Sequence, residues 1–141
     1  SQGLKNLRLR IRPHPYGPIV GRPRFERFKD RFDISLGSLE QDIKESDLVM
    51  VTYSTVGEEA FIAGRPVWRW AAQGFNGSAL FSLMPLPQFF SVSDLRKALE
   101  TFCDNPRSFL PSREEMDRVA HELFFEMDGH CVERIARYCS Q

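Results

Sequence analysis

Leu7, Leu9 and Ile11 alternate with Arg8, Arg10 and Arg12 at the start of the chain, the period-two pattern of a strand with one buried face. Pro13 and Pro15 end it. After a Gly/Pro loop, Phe25, Phe28 and Phe32 recur at helical spacing behind Pro23, which predicts a helix with Pro in its first turn and an aromatic core face. "FDISLG" predicts a short strand. Ser38 then opens a helix in which Gln41 makes a capping box and Leu39 and Ile43 share a face.

Asp47 leads into "LVMVTY", a continuous apolar run of the kind found in parallel strands buried on both faces. A helix over 55–63 follows, with Thr55 and Glu58 spaced as a second capping box and Gly64 and Pro66 as exit signals. "PVWRWAA" predicts the next strand. Strand and helix thus alternate, and the expectation is an α/β fold: a Rossmann-like, three-layer α/β/α parallel sheet with right-handed crossovers. The run over 79–90 is rich in apolar residues but broken by Pro85 and Pro87. Beyond it Leu95, Leu99 and Phe102 predict one helix, and Ser112 with Glu115 caps an amphipathic helix carrying Met116, Val119, Ala120, Leu123, Phe124 and Met127, closed by Gly129. Val132, Ile135 and Ala136 predict a last helix. The organisation expected is one domain over 1–141, with an α/β core over 1–92 and C-terminal helices over 93–141.

Composition narrows the function classes. The chain has 141 residues, 42% hydrophobic and 12% aromatic, enough for one domain with a core. Lys plus Arg and Asp plus Glu number 19 each, a balance that argues against coating nucleic acid, so any anion site must be local. Cys103, Cys131 and Cys139 show no CxxC spacing, which disfavours a disulfide framework or zinc site and fits a reducing cytoplasm. No leader and no apolar run near ~20 residues is evident, so a cytoplasmic location is expected.

Candidate chemistry gathers where strands end. In an open α/β sheet, ligands bind beyond the carboxyl ends of the strands. His14, held by Pro13 and Pro15, follows the first strand; Ser54 and Thr55 follow the buried one. Backbone N–H groups at the start of the next helix suit a phosphate, the two hydroxyls add donors, and Gly57 lets an anion approach. Glu58 or Glu59 could accept from ribose hydroxyls, although acidic residues in a first turn also serve the helix dipole. The loop over 73–77, "QGFNG", could close over a ligand or simply connect. His121 and His130 lack partners at metal spacing, and Cys131 beside His130 does not face it on a helix. No metal site and no cofactor is expected. "EMDGH" over 126–130 reads as a helix end. Neither GxGxxG nor a Walker loop occurs.

"RPHP" together with "DLVMVTYSTVGEEAFIAGRPV" resembles the C-terminal, donor-binding half of two-domain, GT-B type glycosyltransferases. The similarity is to bacterial enzymes of surface-polysaccharide assembly, including Kdo transferases and sialyltransferases that use CMP-activated sugars. The resemblance implies that His14 with Pro15 contacts the nucleotide, that Ser54 and Thr55 hold its phosphate, and that Glu59 or its neighbour meets the ribose. It covers about residues 7–67. Such a half normally begins with one more strand, central in the sheet, and its catalytic base lies in an N-terminal half; this chain therefore looks like a fragment with no catalytic residue assigned. The implied partners are a nucleotide-sugar donor and an N-terminal acceptor domain, with peripheral membrane association of the full-length protein and homo-oligomerisation left open. The alternatives are the corresponding half of a sugar-nucleotide epimerase or polyol-phosphate transferase, or a non-catalytic nucleotide- or protein-binding module.

Overall fold

The first strand, β1 (Arg10–Ile11), pairs in parallel with β2 (Asp33–Ile34) in the computed structural model, which describes residues 4, 7–14, 17, 21–71 and 78–140. Asp33 N–H donates to Leu9 O at 2.8 Å and Ser35 N–H to Ile11 O at 2.9 Å. Between the strands, the expected phenylalanine helix is broken. Only α1 (Pro23–Glu26) is α-helical, and a 3₁₀ turn (Lys29–Arg31) follows Phe28, whose φ of −126° leaves the helical region. Phe25 and Phe32 meet edge to face at 6.1 Å, while Phe28 is exposed beneath the guanidiniums of Arg27 and Arg31. The basic residues between the rings compete for Phe28, so the three do not form one core face.

Helix α2 (Leu39–Glu45) begins as its cap predicts, Gln41 N–H donating to Ser38 Oγ at 3.1 Å. The reciprocal half of that box is not made, because the Gln41 amide donates to the Glu45 carboxylate instead. One flank of α2 buries Ile43. Another takes the arginines of the first strand: Arg12 Nη1 lies 2.7 Å from Asp42 Oδ2, and Arg10 Nη1 lies 2.7 Å from Glu45 Oε2 and 3.3 Å from Asp42 Oδ1. Arg12 also donates to Gly37 O at 2.9 Å. Desolvation pushes the Asp42 carboxyl up, but the Ser35 hydroxyl and the Arg12 and Arg10 guanidiniums together outweigh it and hold it below the usual range. The charged face of the first strand is thus spent on fastening α2.

A second all-parallel sheet contains β3 (Val49–Val51), β4 (Val67–Trp70) and β5 (Gln88–Phe89), in that order. Between β3 and β4 runs α3 (Val56–Ile62), and α4 (Leu80–Leu83) precedes β5. Gly64, at φ +78°, ends α3 in a left-handed turn, with Arg65 N–H donating to Ala60 O at 2.9 Å. Neither α4 nor β5 was expected; Pro85 and Pro87 shorten both below the length at which a period shows.

Alternate residues of β4 feed different cores. Val67, with Val51, joins Ile43, Ala60, Phe61, Leu80, Phe81, Met84 and Val119. Trp68, 1% exposed, joins Phe89 and Phe102 and stacks with Phe109, its ring centroid 5.1–5.6 Å from each of the three phenylalanines. The C-terminal helices therefore close the cores rather than trail from them: α5 (Val92–Asp104) contributes Phe102, and α6 (Arg113–Phe124) contributes Val119. The capping box of α6 forms as predicted, Ser112 Oγ accepting from Glu115 N–H and Glu115 Oε2 from Ser112 N–H. It ends at Phe124, not at Gly129, because Phe125 adopts φ +63°. Helix α7 (Cys131–Cys139) buries no residue. Arg134 Nη1 lies 2.7 Å from Asp128 Oδ2, Nη2 donates to Glu126 O at 3.0 Å, and the guanidinium stacks on Phe125.

The fold is mixed α/β with two small parallel sheets of two and three strands among the described residues. No described helix is long and apolar enough to cross a membrane.

Candidate functional site

Because β3 and β4 run parallel and α3 crosses between them, the turn after Val51 lies at the carboxyl edge of the three-stranded sheet. Residues 52–55 make that turn. Ser54 is half-buried, and its Oγ accepts from Val56 N–H at 3.3 Å; its carbonyl accepts from Gly57 N–H at 3.1 Å. Thr55 is exposed and already helical in φ and ψ, and its side chain makes no capping bond. The Thr55–Glu58 capping box is therefore corrected: Ser54, one residue earlier, supplies the capping oxygen. A threonine whose own backbone has turned helical cannot swing its hydroxyl back to the N–H groups ahead of it. The Thr55 hydroxyl is left at the surface beside the turn.

The remaining residues of this stretch diverge. Gly57 faces the sheet, where an added Cβ would stand 3.3 Å from Val51 Cγ2 and 3.4 Å from Val67 Cγ1. Its place in the structure is one of close helix–sheet packing rather than of approach to a ligand. Glu58 is 8% exposed, whereas Glu59 is exposed. Glu59 lines a groove between α2 and α3 with Glu40, Ile43, Lys44, Ala63 and Arg65. One helical step separates the two carboxylates by about 100°, so they flank α3 on different sides.

His14 stands two residues beyond Arg12 and is exposed. A short antiparallel bridge joins it to Gly17, Gly17 N–H donating to His14 O at 2.9 Å. It follows the carboxyl end of β1, as Ser54 follows that of β3, but the two lie on different sheets. The ties between those sheets that the structure places are through α2, from Arg10 and Arg12 to Asp42 and Glu45 and from Ile43 into the core beside Val51. Pro15 and the "QGFNG" loop over 73–77 lie outside the described residues. No group of three or more His, Cys, Asp or Glu at metal-binding distance occurs among the described residues.

Two buried polar residues escaped the reading of the sequence. Arg69, in the middle of "VWRW", is 3% exposed; Nη1 donates to Gln88 Oε1 at 3.1 Å, and the guanidinium lies over the Phe81 ring at 5.8 Å. Ser78, before α4, is 5% exposed, and its Oγ makes no hydrogen bond among the described residues. A lone charge among the apolar residues of "PVWRWAA" was the signal available. The chain matches no protein-family model, and no curated protein or solved structure is significantly similar to it.

Proposed function

We propose that this chain is the donor-binding domain of a glycosyltransferase, holding a nucleotide sugar, with CMP as the nucleotide, in surface-polysaccharide assembly. One observation carries the reading: paired hydroxyls, Ser54 and Thr55, occupy a strand-to-helix turn at the carboxyl edge of an all-parallel sheet, where α/β folds take ligands. In this arrangement Thr55, exposed and free of capping duty, donates to a phosphate while Ser54 shapes the turn. His14 orients the nucleotide or stabilises the negative charge on the leaving phosphate, and an acidic residue of α3 takes the ribose. Acceptor activation belongs to a separate N-terminal domain, so the isolated chain transfers nothing. The domain acts in the cytoplasm.

The same reading treats the two sheets as flanks of one doubly wound, three-layer sheet of order β2–β1–x–β3–β4–β5, in which x is a further strand. Helix α2 supports it, since it leads from β2 to β3 while grasping Arg10 of β1 through Asp42 and packing Ile43 beside Val51. So does β4, whose successive residues enter cores on opposite faces.

Calorimetric titration of the full chain with CMP, CDP, UDP and GDP tests the function. The expected outcome is preference for CMP, with at least tenfold weaker binding in His14→Ala and in Thr55→Val. A folded chain that binds none of the four nucleotides refutes the reading and leaves a protein-interaction module in its place.

A further inference from the structure

We infer that the segment over 21–32 is a docking surface for single-stranded nucleic acid, with Phe28 as a stacking platform and the arginines around it as phosphate contacts. The chain as a whole is neutral, but this stretch is not: Arg22, Arg24, Arg27, Lys29 and Arg31 stand against Glu26 and Asp30 alone. The rest of the molecule carries the opposite excess, so the positive charge is concentrated here rather than spread. Neither α1 nor the 3₁₀ turn after it buries a residue. All five cations are exposed, and among the described residues only Lys29 of the five meets a carboxylate, Glu26 Oε2 at 3.7 Å.

The aromatic residues give this basic patch a particular chemistry. Phe25 and Phe32, both half-buried, meet edge to face at 6.1 Å and anchor the segment. Phe28 is set apart from them: the helix breaks at its φ of −126°, and the ring is 46% exposed. The guanidiniums of Arg27 and Arg31 stand 5.8 and 6.0 Å from its centroid. An exposed ring is a surface on which an unstacked base of any sequence packs, and an arginine beside it can pair with the adjoining phosphate or stack in its turn. In a duplex the bases already stack on one another, so the ring has nothing to receive. A lipid surface is the poorer fit, because a single ring is presented and its entry into hydrocarbon would strip water from the two guanidiniums held over it. Lys plus Arg equal to Asp plus Glu over the whole chain argues against a general coat of nucleic acid, not against one local site.

The inference does not rest on the nucleotide-sugar reading, whose residues lie on other elements. Fluorescence anisotropy of the full chain with labelled oligouridine of about a dozen nucleotides, within the span of one such surface, tests it. Duplex RNA of the same length and vesicles of phosphatidylserine with phosphatidylcholine serve as rivals. Oligouridine should bind more tightly than the duplex, and its affinity should fall as salt rises. Phe28→Leu keeps an apolar side chain but removes the ring face, and should weaken strand binding about fivefold or more. Arg27→Gln combined with Arg31→Gln should weaken it severalfold and flatten the dependence on salt. Circular dichroism should show both variants folded, since the side chains they alter are exposed. Absence of oligouridine binding at low salt, equal affinity in the parent and Phe28→Leu, or duplex binding as tight as that of the single strand overturns the inference. Vesicle binding that exceeds strand binding and survives Phe28→Leu overturns it in favour of a membrane surface.

Discussion

At the scale of single residues, the stretch from Ser54 to Glu59 shows how one motif divides its labour. Ser54 caps, Gly57 packs, Glu58 is buried, and Thr55 and Glu59 reach the surface. The packing role has a measurable consequence. A valine at 57 would force two methyl groups against Val51 and Val67, which an added Cβ alone already approaches at 3.3 and 3.4 Å. Overpacking of a closed core costs about 1–3 kcal/mol. Gly57→Val should lose stability of that order in urea denaturation with an unchanged slope, and a variant as stable as the parent would show that α3 can lift off the sheet. The left-handed turn at Gly64, φ +78°, makes a similar demand, and Gly64→Ala should cost about 1–2 kcal/mol.

At the scale of elements, α2 has one side in the core and another clasped to the first strand, and acid should loosen the clasp. The folded-state value of Asp42 lies below its ordinary one, so the stabilisation it provides is present at neutral pH. That stabilisation is lost as pH falls from about 4, the usual carboxylate range, down through the lowered value. Asp42→Asn should therefore lower stability at pH 7 by about 1 kcal/mol, the partners being partly solvated. It should also flatten the fall in stability below pH 4; an acid limb as steep as the parent's would assign it to other carboxylates. Elements like α2, β3, α3, β4 and α6 could be read from the chain because an apolar pattern and at least one boundary signal agree over several residues, although the capping oxygen of α3 and the exit of α6 lie elsewhere than expected. What could not be read had a different cause in each case. β5 is too short to show alternation, the helix expected at Phe25–Phe32 lost Phe28 to two arginines, and the burial of Arg69 follows from strand register, which sets it between β3 and β5. Of the site, the strand ends were legible; whether His14 shares a pocket with Ser54 depends on how two sheets sit about α2, which no local pattern encodes.

At the scale of the whole molecule, the proposed nucleotide binding would be coupled to folding. A nucleotide at a hundred times its dissociation constant stabilises the state that binds it by about 2.7 kcal/mol. The melting temperature should rise with CMP in the parent and much less in His14→Ala; equal shifts in both would remove the imidazole from the site. Cooperativity, however, should not extend through the entire chain. Among the described residues α7 contributes nothing to either core, and Arg134, gripping Asp128 and Glu126 over the Phe125 ring, couples its fate to the segment before it. Its amides should exchange with solvent deuterium through an opening far cheaper than global unfolding. Arg134→Ala should speed that exchange while the protection of β4 stays constant. The turns of α7 would then behave as a separate thermodynamic unit, able to detach and return while the two cores remain folded.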